Sequence, residues 1–517
     1  MRGLKLLAVA TIVTLLLHPL SGLSAQHTGD PVVPRGEWHI QLQPSASLLE
    51  GLYDPDGEGT LDLAPGFFLP EIGVDQVPGL EPTETRFRSL AGGNSDVGLR
   101  IGATRGRVTG DEQVLPVGIS YGLLDRVTVG VTVPFVRRRV DTLLRYVPDG
   151  ANVGLNPARV DREPVDAFLI QALEALDNLA DAVDEACTDL GEDSQPCLDG
   201  NSLLEGTQGF VGSLELAYEE EALFPLGGSE LGEGIANRWT TLRTEMADWE
   251  AAAPEAPPLA ADFLDSSAFR SLVVNPAWPG SGFPQDTPPA FLDLGDVELH
   301  LAVRILPLDD AGERDGTVSF SSAVAGAVRF ATGSADSLRA VAPRDPPRGV
   351  PGVEIRWISD VILPRRLGVR GTVEVGWHGS RDILLLAPDS DGAFLPDRTR
   401  TSVRWDPGTH VGIEVTPRLR IGPGLSLGAG WRMLRREADT FSALHTDGTP
   451  PPAPSAAAVV HRLSIEFRYS AIHPPLSDTV SRPFEVLVRG TRSVSGSGDW
   501  APVDRRIDVG ARFRLHR

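Results

Sequence analysis

The residues best equipped for chemistry are charged side chains that recur at every second position of otherwise apolar stretches. They are Glu298, His300 and Arg304, then Arg329, Glu354, Arg356, Arg370, Glu374, Glu414 and Arg432, then Arg462, Glu466, Arg468, Glu485, Arg489, Asp508, Arg512 and Arg514. Period-two spacing puts each set on one face of an extended strand. A column of one sign would suit an ion-selective pore. The mixed signs suit cross-strand ion pairs that hold a wall together and fill a narrow lumen, with a role in a transport path for some of them as the alternative.

The opposite face of the same strands is apolar, as in Leu299, Leu301, Val303 and Ile305, or Ile507, Val509, Ala511, Phe513 and Leu515. A dry core does not accept the charged face, whereas a barrel in lipid has a greasy outside and a polar inside. The pattern therefore predicts an all-β fold, a transmembrane antiparallel β-barrel. A soluble sandwich is the competing reading, but it would not carry so many arginines and glutamates on the second face of its sheets.

Other constellations are weaker. Gly-x-Ser-x-Gly occurs around Ser120 and around Ser426, yet both lie within alternating strands rather than at the strand-to-helix turn of a nucleophile elbow. His300 is a conceivable base, while His461 faces lipid by parity. Catalysis is not expected. Asp54, Asp56, Glu58 and Asp62 resemble a calcium loop without its closing glutamate, and they read as a solvated acidic turn, as do Asp389, Asp391 and Asp397. Lys5 is the only lysine and leaves with the signal, which excludes P-loop and pyridoxal chemistry in the mature chain. No cofactor and no metal are expected. Cys187 and Cys197 suit a local disulfide in an exported protein.

The elements that must position these residues follow from the rest of the chain. Residues 1–25 have the charged start, apolar run and small-residue end of a secretory signal. No later segment approaches the roughly 18 apolar residues of a spanning helix. Residues 26–139 hold the first barrel strands, near 36–45, 113–123 and 127–135, with a Gly/Pro-rich loop or plug at 46–96. Residues 97–108 read as a further strand or as the upper part of a long one. Residues 140–293 switch to helical periodicity: Leu169, Leu173, Leu176, Ala180 and Val183, then Leu231, Ile235, Trp239, Leu242, Met246 and Trp249. Such stripes suit packing in a small helical subdomain; a ligand-gating or partner face is the alternative. Residues 294–517 hold nine further strands, giving about twelve, with fourteen open. Short connectors at 363–365 and 418–423 against long ones at 332–350, 379–408 and 437–458 put both termini in the periplasm and the helical insertion outside the cell.

The net charge of −23 argues against nucleic acid as a partner. Outer-membrane lipid is the expected surrounding, and monomer and small homo-oligomer both fit. The run Val114 to Val136, with Tyr121-Gly122-Leu123 and Asp125-Arg126, resembles the hairpin of outer-membrane transporter-like proteins linked with phenol and other aromatic degradation, in the FadL-like superfamily. The pattern extends over the strands from 294 to 515. Two features depart from it: the chain ends Phe513-Arg514-Leu515-His516-Arg517 rather than on an aromatic, and its aromatics are sparse, with Trp38, Tyr121, Trp377 and Tyr469 as girdle candidates. The resemblance implies passive uptake of small hydrophobic or aromatic compounds through a plugged lumen, in the bacterial outer membrane. On that reading Trp239 and Trp249 are the ligand-capture candidates. The competing class is a non-transport barrel that displays its acidic helical insertion for adhesion or partner binding.

Overall fold

The computed structural model describes residues 31–63, 68–93, 97–275, 293–306, 318–333, 349–363, 366–386, 400–444, 455–471, 484–498 and 501–515. Asp389, Asp391 and Asp397, the Pro-rich run 276–289 and the signal lie outside them. Among the described residues twenty strands occur in chain order: β1 (Trp38–Leu42), β2 (Ser45–Tyr53), β3 (Thr60–Leu61), β4 (Ala103–Leu124), β5 (Val127–Val147), β6 (Val153–Leu155), β7 (Leu223–Pro225), β8 (Asp293–Leu294), β9 (Val297–Leu306) and β10 (Ser319–Phe330), then β11 (Gly352–Leu363), β12 (Leu367–His378), β13 (Arg381–Leu386), β14 (Arg400–Asp406), β15 (His410–Gly422), β16 (Leu425–Arg436), β17 (Thr440–Ala443), β18 (Ala458–Ser470), β19 (Phe484–Ser497) and β20 (Pro502–Leu515).

Twelve staves close an antiparallel barrel. β1 and β2 form one stave, since both pair with β20 on one side and β4 on the other, and β5 to β20 complete the ring through β9, β10, β11, β12, β15, β16, β18 and β19. Between β1 and β2, Pro44 has no N–H to give, but its carbonyl accepts from Val509, and Gln43 donates to Pro116. The stave is interrupted without opening the wall. The first strand therefore resumes at Ser45 and runs to Tyr53, into the stretch 46–96 expected to be irregular.

Each stave alternates as lipid requires. On β9, Leu299, Leu301, Val303 and Ile305 are exposed while Ala302 is buried; on β18, Leu463, Ile465 and Phe467 are exposed while Glu466 is buried. Exposed apolar side chains on one face, with buried charge on the other, form the outer band of a membrane barrel. Trp38 and Tyr121 pack with ring centroids 4.6 Å apart near one end of that band, and Trp377 is exposed near the other.

β4 and β5 outrun the other staves, so the insertion begins at 148 rather than 140. It holds the helices Pro157–Val160, Arg162–Leu190, Gln195–Glu220, Glu230–Ala247 and Ser266–Val274. Capping is regular: Asp161, Ser194, Ser229 and Asp265 each accept a backbone N–H of their helix's first turn. Cys187 and Cys197 form a disulfide, with Cα atoms 4.8 Å apart, where the first long helix ends and the second begins. The segment after β3 supplies the helix Glu81–Leu90. Its Phe87 and Leu90, with Ile72, Val77, Leu80, Leu99 and Ile101, share one apolar core with the inserted helices. The expected loop or plug is thus, over these residues, part of a cap that sits on the β4–β5 hairpin. β13, β14 and β17 add a small sheet at the same end of the barrel, where the long connections lie.

Candidate functional site: the barrel lumen and its cap

The inward faces meet in a network of ion pairs. Glu466 on β18 is 1% exposed. It accepts from Arg418 at 2.8 Å and Arg489 at 2.7 Å, and lies 3.5 Å from Arg468. Arg489 also lies 3.1 Å from Glu414. Arg356 pairs with Glu354 and lies 3.6 Å from Glu374, which pairs with Arg432 as well. Arg329 meets Glu298 at 2.9 Å, Arg370 makes two bonds of 2.8 Å to Asp360, and Arg462 meets Asp504 at 3.1 Å. Asp508 is paired with Arg506 at 2.6 Å, and Arg514 with Glu37. Glu485 stands directly across from Arg512, and Arg304 across from Ala323.

These charges are buried, with Glu354, Glu374, Arg329, Arg468, Glu485, Arg489, Asp508 and Arg512 all under a tenth exposed. A buried charge persists when it is paired and its remaining hydrogen-bonding positions are filled. Side chains rather than water therefore fill the lumen at this level. Sequence parity carried a signal for Asp360, Arg418, Asp504 and Arg506, which share the inward phase but were not singled out. Glu37, within the strand expected near 36–45, shares the polar phase of His39 and Gln41 and carried the same signal.

Two further clusters close the ends. At the end holding both described termini, Val32 is buried against Ala302, Ala323 and Ala325, and the Val33 N–H donates to Thr128 Oγ1 at 2.7 Å. The chain just before β1 thus folds back into the lumen, where small side chains leave room for it. At the cap end, His378 Nε2 and His410 Nδ1 are 3.1 Å apart, and His410 Nε2 is 3.9 Å from Glu354. Beside them Asp439 accepts from Arg436, from Trp405 Nε1 at 3.0 Å and from the Gly408 N–H at 2.9 Å. That node fastens the small β13–β14–β17 sheet to the rim.

Ser120 Oγ and His300 Nε2 are 3.1 Å apart across the lumen wall. Both sit on straight strands, and the His300 ring rests directly on Gly130, so closely that an added Cβ would meet its Nε2 at 2.2 Å. The pair has a wall contact's geometry, without the exposed turn a nucleophile needs. Ser426 lies across from Arg468, and His461 stacks on the outward Trp431 at 5.7 Å. Among the described residues no group of three or more His, Cys, Asp or Glu is arranged for a metal. Asp54 accepts from the Asp56 N–H at 2.9 Å and from the Gly57 N–H at 2.8 Å, with Gly57 at φ +80°, so this acidic run is a turn.

The cap corrects the reading of its tryptophans. Trp239 is fully buried, packs edge-on against Phe168 and stacks on Phe210, and donates to the Pro254 carbonyl at 3.0 Å. Trp249 is partly buried, with its ring against Gly200. Trp239 is a core residue, and neither forms an open capture surface. Tyr218 is likewise inside, stacked on Phe224 and donating to the Pro258 carbonyl at 2.7 Å, and burial pushes its phenol well above the usual range. Among the described residues, the large apolar side chains left exposed on the cap are Ile170, Leu173 and Leu190 on the first long helix, Leu198 and Leu216 on the second, and Val160 and Phe263 elsewhere.

No family model and no curated protein matches the chain. Similar solved structures include an outer membrane channel from Pseudomonas putida F1, at 9% identity and a TM-score of 0.40, covering 95% of this chain and 100% of that one. The CymD monoaromatic hydrocarbon channel is 8% identical, with a TM-score of 0.27, over 94% of this chain and 90% of the other. The Pseudomonas putida toluene transporter TodX is 9% identical, with a TM-score of 0.25, over 93% and 90%. At such identities the likeness is one of fold.

Proposed function

We propose that this barrel resides in the bacterial outer membrane, with both termini in the periplasm, and passes small hydrophobic or aromatic compounds while excluding ions and hydrophilic solutes. The observation that carries the reading is the buried, mutually neutralised charge layer. A porin needs a wet passage lined by exposed charge, whereas here Glu466, Arg489 and their neighbours are withdrawn from water. The folded-back segment at Val32 and Val33 narrows the periplasmic end further. On this reading an apolar solute leaves the lumen above the charge layer and partitions into the surrounding lipid, a step closed to an ion. Liposomes holding the refolded protein test this by whether a small aromatic such as toluene enters faster than into empty liposomes.

Display is the second reading, favoured by one feature. The cap has an apolar core of its own, and the β4–β5 hairpin lifts it beyond the other staves. Unchanged aromatic flux together with specific surface binding by the cap would select display over uptake.

A further inference from the structure

We propose that the outer wall of the barrel, at the cap end, binds the phosphate groups of a phosphorylated glycolipid in the surrounding leaflet. The proposal rests on reading that end as the cell exterior. The outward face of β4 and β5 is apolar as far as the opposed pair Leu115 and Phe135, and then it changes character. Arg137 comes next on that face, opposite Gln113; beyond it Arg139 lies opposite Asp111 and bridges Asp141 at 2.6 Å, Arg107 lies opposite Leu143, and Arg105 opposite Arg145. Across the adjoining stave, β19 and β20 repeat the change. Their outward pairs run from Val488 and Val509 to Gly490 and Ile507, and then to Arg492 opposite Arg505.

Like charges directly opposite on one face of an antiparallel pair repel. Two such arginine pairs lie beyond the lipid-facing band, and although Asp111, Asp141 and Glu50 share this wall, its arginines outnumber its carboxylates, which favours an added anion there. Arg105, Arg107, Arg145 and Arg492 make no ion pair among the described residues. Arg505 meets Glu50 at 2.9 Å and still has a side chain 56% exposed. A guanidinium fork matches two oxygens of a phosphate, so facing pairs of arginines form a natural clamp for that group. Leu143, 66% exposed amid the arginines, adds an apolar contact.

The vertical spread of the arginines selects the kind of lipid. From Leu115 to Arg105 the strand advances about 33 Å at roughly 3.3 Å per residue, or about 25 Å in height at the usual barrel tilt. The polar layer of a phospholipid leaflet is only about 5–8 Å thick. It reaches Arg137 and stops there. A lipid whose phosphates ride on a saccharide headgroup reaches the higher pairs as well.

The test titrates the full-length folded barrel, in detergent, with phosphorylated lipid A that carries its phosphorylated inner-core saccharide, the same lipid A after dephosphorylation, phosphatidylglycerol and inorganic phosphate. Phosphorylated lipid A should bind roughly ten-fold or more tightly than each of the others, and less tightly as salt rises. The double variants Arg105→Gln/Arg145→Gln and Arg492→Gln/Arg505→Gln should each lose roughly ten-fold. Lysine doubles at the same positions, which keep the charge but lose the fork, should fall between. Equal binding of dephosphorylated lipid A or phosphatidylglycerol overturns the proposal. So does unchanged affinity in the lysine and glutamine doubles, and where a glutamine double fails to fold the lysine double decides. Tight binding of inorganic phosphate alone would place the anion in solution rather than in the lipid and also overturn it. No solute flux enters this measurement, so its failure and the failure of the uptake reading are separable.

Discussion

Glu466 holds the middle of the lumen because three arginines converge on one buried carboxylate. Removing it leaves Arg418, Arg468 and Arg489 short of their shared counter-charge, and breaking a buried pair costs about 3–5 kcal/mol. Glu466→Ala should therefore lower the temperature at which the folded barrel loses its compact electrophoretic form, whereas Leu463→Ala on the lipid face should change it much less; equal shifts would place the network outside the stability of the wall. In the cap, Trp239→Ala should cost about 3–5 kcal/mol, read as an earlier loss of helical signal in thermal circular dichroism. The inward phase of these charges was legible because a strand's period of two leaves a charged residue only one tolerable face. Their partners were not, since Arg418 and Glu466 come from strands 48 residues apart and meet only once the register is set. For Trp239 the helical stripe was legible, but nothing local says that Phe168 and Phe210 will cover it.

Among the elements, the helix pair of the cap is tied at one end by Cys187–Cys197. Closing so short a loop stabilises by about 2–3 kcal/mol. Mild reduction of the folded protein should lower the melting of the helices while leaving the barrel transition in place; a single transition that moves as a whole would show cap and barrel to be one cooperative unit. The barrel staves from β9 to β20 were legible almost to their ends, because each alternates cleanly between turn residues, whereas β13, β14 and β17 fall within connections read as long loops. The first stave was not. Pro44 and the following Gly, Pro and Asp residues carry loop chemistry, and only the partners β4 and β20 make Ser45–Tyr53 a strand. Leu80, Thr83, Phe87 and Leu90 recur at helical spacing and are buried, a signal that could have located the helix Glu81–Leu90 within the same stretch.

At the scale of the whole molecule, the chain separates its charges: paired and buried within the lumen, acidic over the cap, and basic on the outer wall just beyond the apolar band. Loop asymmetry oriented the barrel in the sequence, though not strictly, since the connection between Ser497 and Pro502 is short at the cap end. The central claim is that the lumen is shut to ions and hydrophilic solutes while apolar compounds still cross. The most direct measurement places the refolded protein in liposomes and planar bilayers and compares influx of toluene and a fatty acid with single-channel conductance. The account predicts protein-dependent influx of the apolar solutes with negligible conductance. Sustained porin-like conductance, or no influx above empty liposomes, would contradict it.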